Sequence, residues 1–139
     1  MRLYRSWRKR CPRNETSDAI GKFGEKVAIS FLRHQGYQIL VKRYRTKLGE
    51  IDIVCRQAET LVFVEVKARS HSDFGRPGEF VTSHKQRKIT RAALDYLRLL
   101  GNPSLYFRFD VIEVELQADH LPRCSLIKNA FELPEPYLY

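Results

Sequence analysis

Apolar side chains recur along this chain in two rhythms. From Ser17 to Gln35, Ile20, Phe23, Val27 and Phe31 come at three- and four-residue steps, the stripe of a helix with one buried face. Ser17 or Asp18 is placed to cap its start and Gly36 to end it. Tyr37 to Arg45, with Ile39 and Val41 on one face, predicts a first strand. Gly49–Cys55 and Leu61–Lys67 are rich in β-branched and aromatic residues and predict two more, joined by a hairpin turn over the polar residues Arg56 to Thr60. Ala68 to Gly78 has the punctuation of a loop. A second helix spans Ser83 to Leu100, with Ile89, Ala92, Ala93, Tyr96, Leu97 and Leu100 as its stripe, Thr82 or Ser83 as its cap, and Gly101 and Pro103 as its end. Leu105–Leu116 is a long strand apolar on both faces, and Ser125–Phe131 adds an edge strand. The order αβββαβ(β) is that of one α/β (α+β) domain, a mixed central sheet flanked by helices. It occupies residues 17–131, between a basic flexible arm at 1–16 and a C-terminal tail at 132–139.

The third predicted strand breaks the rule for a solvated face. Val62, Val64 and Val66 share one side; Leu61, Phe63, Glu65 and Lys67 share the other. A strand apolar on both faces is buried, yet a carboxylate and an amine emerge near its C-terminal end. Asp52 repeats the anomaly, lying between Ile51 and Ile53 and in line with Val54. Buried charges are costly unless they pair or hold a metal. Two carboxylates and a lysine brought together by one hairpin therefore invite a divalent cation. A buried Glu65–Lys67 ion pair satisfies the same residues without any chemistry.

Charge changes the picture further. Lys and Arg number 25 against 16 Asp and Glu, a formal net charge of +9 that favours a polyanionic partner. Residues 1–16 hold six basic side chains and one acidic, over half the excess. The second helix carries Lys85, Arg87, Lys88 and Arg91 in its first turns, where each cation opposes the macrodipole by about 0.3–1 kcal/mol. An acidic ligand relieves this, so that end is expected to face phosphates. Arg43 and Arg45 make the far end of the first strand basic, and Arg69, His71 and Arg76 stand in the loop leaving the third. The three cysteines are far apart, which excludes a Cys-x-x-Cys zinc site and fits a reducing cytoplasm. No apolar run approaches the ~20 residues that span a bilayer, so no membrane partner is expected.

Four blocks in order, Gly21-x-x-Gly24-Glu25, Gly49-Glu50-Ile51-Asp52, Phe63-Val64-Glu65-Val66-Lys67-Ala68-Arg69 and Lys85-Gln86-Arg87-Lys88-Ile89, resemble the YraN-like family. Asp52 followed by Glu65-Val66-Lys67 resembles the PD-(D/E)XK nuclease superfamily, here without its leading proline. The resemblance covers roughly residues 17–131 and implies a restriction endonuclease-like fold. It also implies roles. Asp52, Glu65 and the Val66 carbonyl would hold Mg²⁺ or Mn²⁺; Glu25, on the helix flank beside Ala28 and Leu32, would help through water or a second metal. Lys67 would orient or deprotonate the attacking water, with Glu50 secondary. Arg43, Arg45, Arg69, Arg76, Lys85, Arg87 and Lys88 are the expected nucleic-acid contacts, with DNA the expected polymer. A two-stranded substrate needs two cuts, which makes a homodimer an option. Gly21 and Gly24 read as close helix packing. Two classes stay open: a metal-dependent endonuclease for structured, especially branched, nucleic acid, and a binding protein that keeps the site geometry with little cleavage.

Overall fold

The computed structural model describes residues 2–3, 10–11, 16–70 and 81–137. Its elements are β1 (Arg2–Leu3), α1 (Ser17–His34), β2 (Gln38–Arg45), β3 (Glu50–Gln57), β4 (Thr60–Ser70), α2 (Ser83–Leu99), β5 (Tyr106–Leu116) and β6 (Arg123–Phe131). The strands form one mixed sheet in the order β1-β6-β5-β4-β3-β2. Only β4 and β5 run parallel, and α2 is the crossover between them, as a parallel pair requires.

Both faces of the sheet are covered. Val62 and Val64 of β4 join Val27, Phe31 and Leu32 of α1 in one core, while Leu61 and Phe63 join Ile89, Ala93 and Leu97 of α2 in the other. This accounts for a strand that is apolar on alternate residues of both parities. A ring cluster, Phe63, Phe107, Phe109 and Phe131, reinforces the α2 side; Phe109 and Phe131 stack at 4.6 Å.

Several boundaries differ from expectation. The α1 cap is Thr16, whose hydroxyl accepts from Ala19 N at 3.2 Å, rather than Ser17 or Asp18. Thr82 caps α2 in the same way, and Gly36, at φ +89°, ends α1 in the left-handed region. The β3–β4 hairpin is tighter than Arg56–Thr60: Gln57 pairs with Thr60, leaving Ala58 and Glu59 as the turn. Strand β4 runs to Ser70, past the predicted loop start. Within residues 1–16, expected as a basic arm, the described residues make contacts with the domain. Arg2–Leu3 pairs with β6, and Cys11 is buried in the α1-side core with a bridge to Ala118. A small apolar thiol gains from that burial, which the charge count of the arm concealed.

Two contacts tie the β2–β3 end of the sheet to α2. The Tyr44 hydroxyl on β2 donates to Asp95 Oδ2 of α2 at 2.6 Å. At Gly49, in the β2–β3 turn, an added Cβ would stand 2.1 Å from the carbonyl oxygen of Lys88. That atom is helix backbone and has no room to yield. Gly49→Ala is expected to cost about 1–3 kcal/mol, as overpacking does. The check is the urea midpoint, which should fall with an unchanged m-value. Gly24 is also tight, though less so, with an added Cβ 2.7 Å from Ala68 Cβ, in line with close helix packing; Gly21 has open space around it and is not a packing glycine.

Asp110 belongs to a structural network. Buried on β5, it accepts from Arg108 Nε at 3.0 Å and from Asn129 N at 2.9 Å. The same guanidinium donates to the Tyr37 hydroxyl at 2.9 Å and to Gln57 Oε1 at 2.6 Å. With these partners the buried charge is compensated, and Asp110 takes no part in the acidic pair described next.

Candidate functional site

The sheet forks at the acidic residues. Strand β3 pairs with β4 only from Gln57↔Thr60 to Ile53↔Val64, although it stays paired with β2 as far as Glu50. Strand β4 meanwhile continues beside β5 to Ser70. Continuing the β3–β4 register sets Asp52 opposite Glu65, on one face of the hairpin. Asp52 closes the fork with its side chain: Oδ2 accepts the Val66 N–H at 2.8 Å. In an extended strand the N–H and C=O of one residue face the same edge, so the Val66 carbonyl also turns toward the fork.

A cleft of about 470 Å³ opens there, lined by Glu25, Asp52, Glu65, Val66 and Lys85, with Ser17, Ile20 and Gly21 of α1 forming its wall. Glu65 is 8% exposed. Burial, then the facing charge of Asp52, pushes its carboxyl up to about 8. Burial likewise pushes Asp52 up, against the pull of the Val66 N–H. Glu65 Oε1 lies 3.2 Å from Lys85 Nζ, on the first turn of α2. Glu65 Oε2 is buried and has no hydrogen-bond partner among the described residues.

This donor set fits a hard divalent cation. It is all oxygen, it contains an orphaned buried carboxylate oxygen, and Mg²⁺ needs only one or two carboxylates because it keeps several waters. Two acids, not three, make the core of the site. Among the described residues no group of three His, Cys, Asp or Glu side chains comes close enough to enclose an ion. Glu25 faces the same cleft but is held by Arg43, whose Nε donates to Glu25 Oε2 at 2.7 Å.

The expected basic residues fall into distinct settings. Among the described residues lining the cleft the ammonium is Lys85; Lys67, half-buried two residues beyond Glu65, is not one of them. Arg43 serves Glu25, Arg45 lies 3.7 Å from Glu50, and Arg69 lies 4.0 Å from Glu113 with only 13% of its side chain exposed. Arg87 and Lys88 are exposed at the start of α2. Arg76 and His71 lie outside the described residues. The lining residues outside the expected set are Ser17, Ile20 and Gly21 of α1 and Ala68 of β4. One turn separates Gly21 from Glu25, and that helical spacing is the signal that places them together.

Comparison with known proteins agrees on one family. The profile described as "Uncharacterised protein family UPF0102" matches residues 24–114. A UPF0102 protein of Symbiobacterium thermophilum is 46% identical over 115 residues, 83% of this chain and 98% of that protein. UPF0102 proteins of Desulfosudis oleivorans (46% over 112 residues, 81% and 89%) and Geotalea daltonii (46% over 115 residues, 82% and 90%) are similarly close. Among the described residues no helix is long and apolar enough to cross a membrane.

Proposed function

Because the chain belongs to the UPF0102 (YraN-like) family, whose description carries no activity, we propose from the site itself that it is a divalent-metal-dependent endonuclease acting on structured nucleic acid, with branched DNA the leading candidate. One observation carries this reading: a buried carboxyl, Glu65, and a half-buried one, Asp52, face each other across a strand fork, with an orphaned oxygen and an ammonium beside them. Buried polar atoms are in the large majority hydrogen-bonded, and an orphaned carboxylate oxygen is accounted for by a bound ion.

Asp52, Glu65 and the Val66 carbonyl would hold Mg²⁺ or Mn²⁺. A bound cation supplies an acidified water and neutralises charge on the leaving oxygen. Lys85 balances the charge of Glu65 and stands where a phosphate oxygen would approach. Arg43 holds the Glu25 carboxylate, which can accept a proton from water in the cleft. Lys67 keeps its proposed part as a cation near the phosphate, reached along the same strand face as Glu65. The arrangement of Arg43 on Glu25, and of Lys67 outside the described lining, favours a second reading in which nucleic acid is bound but hardly cut.

Two measurements separate these readings. Branched, single-stranded and duplex oligonucleotides incubated with Mg²⁺ or Mn²⁺ should be cleaved internally and spared in EDTA. Binding without cleavage selects the second reading. Calorimetric titration with Mn²⁺ in two buffers should show close to one proton released per ion at pH 6.5–7, since Glu65 keeps its proton up to about pH 8. Release should fade and affinity should level off above that pH. Metal binding with no pH dependence would mean that Glu65 is not a ligand.

A further inference from the structure

A second cleft, of about 280 Å³, adjoins the first and shares Glu25 and Asp52 with it. Its other walls are Lys22 and Lys26 of α1 and Lys42 and Arg43 of β2. The acids thus sit where two openings meet, one under Lys85 and one between α1 and the edge strand β2.

Backbone geometry explains why both Lys42 and Arg43 reach this cleft. Successive strand residues normally face opposite ways. Arg43, however, has φ +54°, a left-handed conformation that costs a non-glycine residue on the order of 1 kcal/mol or more. The departure sets two consecutive cations on one cleft at the edge of the acidic site. Their partners then divide. Arg43 is bonded to Glu25, and Lys22 lies 3.1 Å from Asp18. Lys26 and Lys42 are exposed and carry no ion pair among the described residues. Two uncommitted ammonium groups on opposite walls are an electrostatic clamp for a narrow anion lying between them.

We infer that the cleft between α1 and β2 is the track for the sugar–phosphate strand on one side of the reacting bond, with Lys26 and Lys42 as its two phosphate contacts. The inference rests on the nuclease reading and extends it to residues outside the acidic centre. A strand entering under Lys85 and leaving between Lys26 and Lys42 passes over Asp52 and Glu65 without needing an end.

The test uses the full chain and Lys26→Ala, Lys42→Ala and the double variant, with Lys26→Arg/Lys42→Arg as the charge-keeping control. Fluorescent single-stranded and duplex oligonucleotides, in DNA and RNA versions, are bound in Ca²⁺ across a salt series. The salt slope should shrink by about 0.7 per lysine for a single strand and about 0.9 for B-form duplex, and the double arginine variant should restore it. The DNA and RNA arms identify which polymer the track takes. Mn²⁺ affinity, measured calorimetrically without nucleic acid, should be the same in all variants. Unchanged slopes with a parent that binds would overturn the track and leave the acidic centre standing. A parent that binds Mn²⁺ but no oligonucleotide would overturn the track and the nuclease reading together. Loss of Mn²⁺ binding in the alanine variants would also overturn it, by making these lysines part of the centre itself.

Discussion

Asp52→Asn and Glu65→Gln should each lower metal-dependent cleavage by roughly 10²–10³, the usual cost of removing one preorganised electrostatic group from a reaction centre. The same substitutions should leave the metal-free fold as stable as the parent, or more so. Glu65 is buried and Asp52 half-buried, and desolvation pushes both carboxyls upward on the pH scale. The sign follows from that direction. A group whose pKa is raised by folding contributes stability that is complete below its unfolded value and is lost as pH climbs through its folded value, here about 8 for Glu65. In EDTA, the parent's melting temperature should therefore fall as pH rises from about 5 to about 8 and level off above that, and Glu65→Gln should flatten that fall. Mn²⁺ should raise the parent's melting temperature and leave the Gln variant's unmoved. Activity and stability moving in opposite directions mark residues kept for chemistry. Equal losses of both would make Asp52 and Glu65 ordinary structural acids.

Asp110→Ala should do the reverse. Its carboxylate is fully buried and compensates the Arg108 guanidinium while accepting the Asn129 N–H. Removing it strands a charge and a donor together, at a cost of about 3–5 kcal/mol. For a chain of this size that corresponds to a melting temperature lower by roughly 6–20 °C. Asp110→Asn keeps an acceptor for Asn129 and should fall between the parent and the alanine variant. Mn²⁺ affinity of the folded protein should be unaffected, because none of the network lines the acidic cleft. A change in affinity without a change in stability would join Asp110 to the centre.

The parts legible from the chain were those written in periodicity. The α1 and α2 stripes and the doubly apolar β4 arise from burial against two helices, and burial leaves its rhythm in the residues. The pairing of Asp52 with Glu65 was legible for a related reason: a short hairpin fixes which residues stand opposite, whatever follows. The turn itself was read too wide, because Arg56, Gln57 and Thr60 are polar residues of strands that end near solvent. Partnership across elements was not legible. A strand pattern favours the neighbour two residues on, Lys67, whereas the ammonium beside Glu65 comes twenty residues later from α2. Arg43 looked like a phosphate contact from its place in a basic run, and the fold gave it Glu25 instead. The burial of Cys11 left no periodic mark at all.

The parting of β3 from β4 has a mechanical consequence. Elsewhere in the sheet, hydrogen bonds dictate how far apart facing side chains stand. Beyond Ile53 and Val64 the backbone ladder stops, the bond from the Val66 N–H to Asp52 spans the fork, and the gap between Asp52 and Glu65 is set like the jaws of a caliper. One jaw is braced by β5 and the other by the β2–β3 turn, seated through Gly49 on the backbone of Lys88. Cation affinity should thus respond to substitutions at the seat, remote in sequence from either acid, and a cation of different radius should be felt in the tilt of α2.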